Sequence, residues 1–186
     1  MDYKILFLLG IIITILSSNY ITNNIGDRFY KGKNIELFDI FHQILPDLYS
    51  YGNITNTIPS IFVGLYILLF LPSTLQIEFL AKFIIILFIR SFAIISTILP
   101  GHNDCEVNPN ILTTFIGDCY DKVFSGHTAM VLLLCLILYR EHIISITNLI
   151  SINLINILLI LATRSHYTID IIVSIFITST IFNIKL

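Results

Sequence analysis

Residues 119–140 read CYDKVFSGHTAMVLLLCLILYR, a polar stretch that turns at a histidine into an apolar run. Every residue from Met130 to Tyr139 is apolar. Such a run predicts a transmembrane helix. Ionisable groups at the border of a membrane segment are costly and usually functional, so His127 directs attention to the start of this helix.

The composition is that of a membrane protein. Of the 186 residues, 56% are hydrophobic and 12% are charged, and the mean hydropathy is +0.89. Soluble domains contain about 25% charged residues. A spanning helix needs about 20 apolar residues, so six spans use about 120 and predict one all-α integral membrane domain over residues 1–186. The net charge of -2 comes without a basic cluster, and no nucleic-acid partner is expected.

Six apolar runs predict a bundle of six transmembrane helices. The runs are residues 4–21, 58–72, 77–99, 126–140, 145–163 and 168–184. Pro59 is expected to begin the second helix and Pro72 to end it. The first run is interpreted as a helix, although the apolar region of a signal peptide is an alternative that the sequence leaves open.

The polar stretch 22–57 contains apolar residues that can line one side of a helix. They are Ile35, Leu37, Phe38, Phe41, Ile44 and Leu45. This pattern predicts an interfacial helix on the bilayer surface between helices 1 and 2.

Six spans place the loop 100–124 and the connection 164–167 together on the face opposite the termini. Basic residues are balanced between the two faces, so charge leaves the orientation open. The loop holds Cys105 and Cys119, which are compatible either with one disulfide on an oxidising face or with two separate thiols.

Ser125, Gly126 and His127 stand where the fourth helix begins. Serine is a favoured N-cap, and glycine lets a ligand approach the main chain closely. The free N–H groups and the dipole of a helix start attract anions such as phosphate. The alternative is an ordinary helix start in which the histidine only caps the helix.

Residues 164–170 read RSHYTID at the start of the sixth run. His166 and Asp170 are four residues apart and share one helix face. A carboxylate can fix the tautomer of a histidine that acts as nucleophile or general base. The alternative is a pair that only locks the helix end. Arg164 is expected either to bind phosphate oxygens or to extend toward lipid headgroups.

Together these helix starts predict a phosphate site with two histidines. One histidine would attack phosphorus while the other protonates the departing oxygen, which gives a phosphohistidine intermediate. Arg90, inside the third apolar run, requires a counter-ion, for which Asp47, Asp121 or a lipid phosphate are candidates.

Other chemistry is less well supported. Five histidines occur without the His-x-x-x-His spacing, and no Cys-x-x-Cys occurs, so no metal site is predicted. Ser125 lacks the Gly-x-Ser-x-Gly context of a hydrolase nucleophile. Glu78 and Lys82 are expected to pair with each other near the opposite face.

These residues resemble the sphingomyelin synthases, within the wider superfamily of type 2 phosphatidic acid phosphatases. The matching elements are Leu45-Pro46-Asp47, Arg90 with Thr97-x-Leu99-Pro100, Cys119-x-Asp121-x-x-x-Ser125-Gly126-His127-Thr128, and His166-Tyr167-Thr168-x-Asp170. Tyr120 stands where the family has glycine, and Ile44 where it has the first proline of its proline-rich element.

The resemblance implies cytosolic termini, an active site on the lumenal or exterior face, and no cofactor or metal. It implies a triad of His127, His166 and Asp170, in which His166 takes phosphocholine from phosphatidylcholine and passes it to ceramide, releasing diacylglycerol. Eight further residues are expected to bind substrate: Ser125, Gly126, Thr128, Asp121, Arg164, Tyr167, Arg90 and Asp47.

The leading hypothesis is therefore transfer of a phospholipid headgroup, phosphocholine or phosphoethanolamine, from a lipid donor to a ceramide-like acceptor. A lipid phosphate phosphatase or phospholipase C-type hydrolase would use water as the acceptor instead. A non-catalytic lipid-binding scaffold is the third possibility. The sequence leaves organelle, acceptor and oligomeric state open.

Overall fold

The computed structural model describes residues 3–31, 33, 35, 37–102, 105, 107, 114 and 119–185, with Asn53 described by its main chain. All regular structure in these parts of the chain is helical. The α-helices are α1 (Tyr3–Tyr30), α2 (Ile40–Ile44), α3 (Gly52–Phe70), α4 (Ser73–Ser96), α5 (Gly126–Arg140), α6 (Ile146–Ala162) and α7 (Thr168–Asn183), and a 3-10 turn spans Tyr49–Tyr51. All except α2 overlap the predicted apolar runs.

The apolar helices differ in length. Helix α1, the segment Tyr49–Phe70 and helix α4 are long and apolar enough to cross a membrane. Helices α5, α6 and α7 are apolar but have only 15, 17 and 16 residues, short of the usual span of about 20. The set fits a multi-pass membrane protein, and six crossings stay a prediction.

Helix α1 continues well beyond the predicted end of its apolar run at residue 21. Its second half buries small or polar residues: Ser18, Asn19, Thr22, Asn23 and Gly26. A Cβ atom at Gly26 would overlap the ring of Tyr120, so glycine is needed for that ring to lie against the helix. Hydropathy underestimates the length of α1 because these residues include hydrophilic ones that are nevertheless buried.

The predicted interfacial helix is represented among the described residues by the five-residue helix α2. Asp39 caps its start, and the helix ends at Ile44, two residues before Pro46, because the residue before a proline disfavours helical geometry. Phe38 and Ile44 are 82% and 70% exposed. Contact of this short segment with a bilayer surface stays a prediction.

The expectation that Pro59 begins the second transmembrane helix is wrong, because α3 begins at Gly52 and contains Pro59. Proline inside a helix removes one main-chain hydrogen bond, a loss that nearby hydroxyl groups can moderate in apolar helices. The carbonyl that loses its partner is that of Thr55, and the Ser60 hydroxyl donates to the next carbonyl, that of Asn56, at 2.8 Å. Pro72 does mark a boundary, since it caps the start of α4.

Helix α5 lies at the centre of the bundle. It packs against α3, α4, α6 and α7. Its apolar residues are buried on all sides, as expected for a helix without a polar face. The N-terminus of α5, with His127, therefore lies among the other helices at one end of the bundle.

The other end is closed by charged groups. The predicted pair of Glu78 and Lys82 is confirmed at 2.9 Å, and Arg140 contacts both Glu78 oxygens at 2.7 Å. Lys82 also donates to the main-chain oxygen of Phe182 at 2.7 Å. These contacts join α4, α5 and α7 far from His127.

Of the two alternatives for the loop cysteines, the structure contains the disulfide between Cys105 and Cys119. Cys135 is a buried free thiol in α5.

Candidate active site

The starts of α5 and α7 lie against each other. The main-chain N–H of Ser125 donates to the main-chain oxygen of Asp170 at 3.5 Å. The Ser125 hydroxyl accepts from the main-chain N–H and the hydroxyl of Thr128, at 3.3 and 2.9 Å. Ser125 is thus the predicted N-cap, and the two helix starts form one polar region.

His166 and Asp170 face each other at the start of α7. Nδ1 of His166 lies 3.4 Å from Oδ2 of Asp170, and the two residues are 5% and 0% exposed. The same carboxylate oxygen accepts the main-chain N–H of Tyr167 at 2.8 Å. Nδ1 makes no hydrogen bond within the described part of the chain. The contact leaves Nε2 as the nitrogen available for a substrate.

His127 lies in the first turn of α5 and interacts electrostatically with His166, Arg90 and Asp121. The imidazoles from the two predicted motifs are therefore close enough to influence each other. They come from different helices whose starts touch. This arrangement suits chemistry that needs one nucleophile and one proton donor.

Arg90 is held in a buried ion pair at the same end of the bundle. Its guanidinium donates to Asp121 at 2.7 Å and to Asn19 at 2.9 Å. Of the three candidate counter-ions, the structure contains Asp121. Nε of Arg90 has no hydrogen-bond partner among the described residues. A Cβ at Gly126 would lie 3.3 Å from this nitrogen, so glycine lets Arg90 approach the start of α5.

A cavity of about 390 Å³ extends from these groups between α1, α3, α4 and α5. Asn19, Arg90 and His127 line its polar end, whereas Leu8, Leu68 and Phe79 line its apolar end. The twelve residues from Leu8 to Asn19 are separated by eleven helical rises, about 16 Å of helix. That length is about half of the roughly 30 Å thickness of a bilayer's hydrocarbon core.

Arg164 and Asp47 lie together but form a separate cluster. The Arg164 guanidinium donates to the main-chain oxygen of Leu45 at 3.0 Å and lies 3.8 Å from Asp47. His102 approaches the same carboxylate at 3.4 Å. Burial would raise the pKa of Asp47, but the Tyr49 N–H, His102 and Arg164 together lower it. Arg164 therefore has protein partners in addition to any phosphate.

Tyr167 and Lys122 connect the loop to the start of α7. The Tyr167 hydroxyl donates to the main-chain oxygen of Pro100 at 3.1 Å. The Lys122 ammonium donates to the main-chain oxygen of Ser165. These contacts fix the segment that carries His166 and precedes α7. The Tyr167 hydroxyl already donates its hydrogen bond within the protein.

Sequence reasoning missed three residues at this site. Asn19 binds Arg90. The sequence feature that could have indicated it is an amide side chain inside an apolar run. Asp39 and His42 contact the segment that carries His166. Their signal was two ionisable residues three apart within a largely apolar stretch. In the described part of the chain, no group of three or more His, Cys, Asp or Glu residues is arranged to hold a metal ion.

Residues 118–186 match the family model described as PAP2 superfamily C-terminal. The matched segment includes His127, His166 and Asp170, whereas Arg90 lies before it. The match supports a relationship to the PAP2-like superfamily, whose members are typically enzymes acting on phospholipid phosphates. No curated protein matches the chain.

Proposed function

We propose that the protein is a membrane phosphotransferase that moves a phospholipid headgroup to a lipid alcohol. Phosphocholine is the first choice of headgroup, phosphoethanolamine the second, and ceramide the preferred acceptor. The observation that carries the proposal is the position of His127 and of the His166–Asp170 pair at adjoining helix starts. The resemblance to sphingomyelin synthases supports the choice of substrates.

The proposed reaction has two steps. In the first, Nε2 of His166 attacks phosphorus, and the bond from phosphorus to the diacylglycerol oxygen breaks. His127 gives its proton to that oxygen, and diacylglycerol leaves. In the second, His127 takes the proton of the acceptor hydroxyl, whose oxygen attacks phosphorus and breaks the phosphorus–nitrogen bond. Asp170 stabilises the positive charge on the His166 ring in each transition state.

The phosphate would lie between the helix starts. The free N–H groups at the start of α5 and the guanidinium of Arg90 provide positive potential for its oxygens. Ser125, Gly126 and Thr128 shape this end of α5, and Asp121 holds Arg90 in place. We assign these residues to substrate binding, with Tyr167, Arg164 and Asp47 at its outer edge.

The cavity supports a lipid substrate in particular. Its polar end carries His127 and Arg90, and its apolar end continues for about the depth of one membrane leaflet. A single hydrocarbon chain would be stabilised in such a cavity, because burying each methylene group contributes about 0.8 kcal/mol. A water-soluble phosphate ester would leave these apolar walls without a partner.

The test uses purified protein in vesicles containing labelled phosphatidylcholine, with and without ceramide. Labelled sphingomyelin that appears only with ceramide supports transfer, whereas free phosphocholine in both samples means hydrolysis. His166→Ala and His127→Ala should each lower turnover by at least about a hundredfold. His142→Asn is the matched control, because His142 is exposed near the other end of α5 and has a φ of 58° that asparagine tolerates. Full activity of His166→Ala would refute the proposed nucleophile.

A further inference from the structure

The segment around α2 contacts three consecutive residues at the start of α7. The Asp39 carboxylate accepts the main-chain N–H of Thr168 at 2.6 Å and its hydroxyl at 2.9 Å. The same carboxylate caps α2 through the N–H groups of Phe41 and His42, at 3.0 and 3.3 Å. Asp39 is only 7% exposed. One carboxylate therefore joins the starts of two helices that are distant in sequence.

His42 contacts the two residues that precede Thr168, which are His166 and Tyr167. Its Nε2 lies 3.0 Å from the main-chain oxygen of His166. Because a carbonyl oxygen only accepts, Nε2 must carry the proton. The ring also lies against Tyr167, with 5.3 Å between the centroids. Burial is the main cause that lowers the pKa of His42, so the neutral ring is favoured near neutral pH.

These contacts add to those of Lys122 with Ser165 and of Tyr167 with Pro100, and they matter because the main chain has to orient the His166 ring. Its Nδ1 is 3.4 Å from Asp170, without a hydrogen bond to any described residue. The direction of the ring then depends on the main chain of residues 166–168, which Asp39 and His42 hold directly. Displacements of about 1 Å in a reacting group can cost about a hundredfold in rate.

We propose that Asp39 and His42 are positioning residues that hold His166 in the orientation for attack on phosphorus. The inference rests on the proposed role of His166 and adds two residues that act through it. Neither lies in the family-matched segment. Because both residues act through His166, both should affect the chemical step more than substrate binding.

The kinetic test compares His42→Phe, which keeps an aromatic ring beside Tyr167, with His42→Gln, which restores a donor near the position of Nε2. His42→Phe should lower kcat about 10- to 100-fold and leave KM within about twofold. His42→Gln should recover most of kcat. Asp39→Ala should resemble His42→Phe, and Asp39→Asn should lose less. Gln43→Ala is the matched control, because Gln43 is an exposed residue of α2.

A second readout does not depend on turnover. Diethyl pyrocarbonate modifies histidine rings, and peptide mass spectrometry locates each product. Loss of a hydrogen bond that closes a buried site should make His166 react about tenfold faster in His42→Phe. His127 serves as the internal reference, and its rate should stay unchanged.

The outcomes separate the two proposals. Wild-type protein that transfers no headgroup would refute the proposed function, while the modification rates would still decide whether α2 holds His166. His42→Phe with a normal kcat and a normal His166 rate would overturn the inference. Equal acceleration at His127 and His166, or failure of His42→Gln to recover kcat, would also overturn it, because the effect would then be a general loss of structure or packing.

Discussion

The carboxylate of Asp121 lies 2.7 Å from the guanidinium of Arg90, and both side chains are almost fully buried. One comes from the loop that follows the disulfide and the other from an apolar helix. The attraction between the two charges offsets part of the cost of burying each of them. The pair fixes the loop against the bundle beside His127.

Removing one member of this pair should strongly destabilise the protein. Arg90→Ala removes the guanidinium that faces the buried Asp121 carboxylate, and breaking a buried ion pair in this way typically costs about 3–5 kcal/mol. The melting temperature in detergent should fall by about 10 °C. Lys31→Ala is the control, because its pair with Asp27 is exposed and should contribute less than about 1 kcal/mol. Equal shifts for the two variants would contradict this prediction.

Gly126→Ala should impair the site without unfolding the protein. The new methyl group would lie 3.3 Å from Nε of Arg90, so the guanidinium must move away from the start of α5. We expect kcat/KM for headgroup transfer to fall about tenfold. Gly52→Ala provides the comparison, because its Cβ would have only ordinary contacts of 3.6 Å or more. Similar activity of both variants would argue against this role for Gly126.

Gly64→Leu should change the selectivity for hydrocarbon chain length. Gly64 lines the cavity, and a Cβ there would meet nothing within 4 Å. A leucine would fill part of the apolar end. KM for a long-chain donor should rise by about tenfold, with a smaller effect on a short-chain donor. Leu69→Ala changes an exposed side chain of the same helix, and it should leave the ratio unaltered. Parallel changes for both donors in Gly64→Leu would oppose the prediction.

Loss of the loop disulfide should lower both stability and activity. Cys105 and Cys119 are 14 residues apart, and closing a loop of this length stabilises a protein by about 3 kcal/mol. Cys119→Ser also frees the main chain two residues before Asp121. Thermal unfolding and turnover should therefore decline together, and thiol counting by mass spectrometry verifies the bridge in the wild type. Cys135→Ala keeps the bridge and should have the smaller effect on turnover.

The apolar pattern predicted the places of the six long helices because burial of side chains dominates helix formation in such a chain. It failed where polar residues face inward. Asn19 and Asn23 face inward because Arg90 and the main chain of Tyr120 provide partners for their amides, and α1 continues past the predicted end at residue 21. Pro59 could not be placed from sequence, since the same residue suits a helix start or an interior position in an apolar helix.

The His166–Asp170 contact was predicted from a spacing of four on one helix face, but His166 precedes α7, and the contact joins the residue before the N-cap Tyr167 to the first turn. The approach of His127 and the choice of Asp121 for Arg90 required the packing of distant segments. Asp39 acts on Thr168 across 129 positions, a relationship that no local periodicity contains. The long-range polar contacts are thus the part of the site that the sequence left undetermined.

Helices α5 and α7 are joined at both of their ends. At one end Ser125 meets Asp170, and at the other the Arg140 guanidinium lies 5.7 Å above the ring of Phe182. Such a pair behaves as a stiff frame, while α1 packs on α4 and α3 packs on α5 and α6. We expect exchange of lipid molecules to occur by relative displacement of α1 and α3, which border the cavity, with the reacting groups held still on the frame.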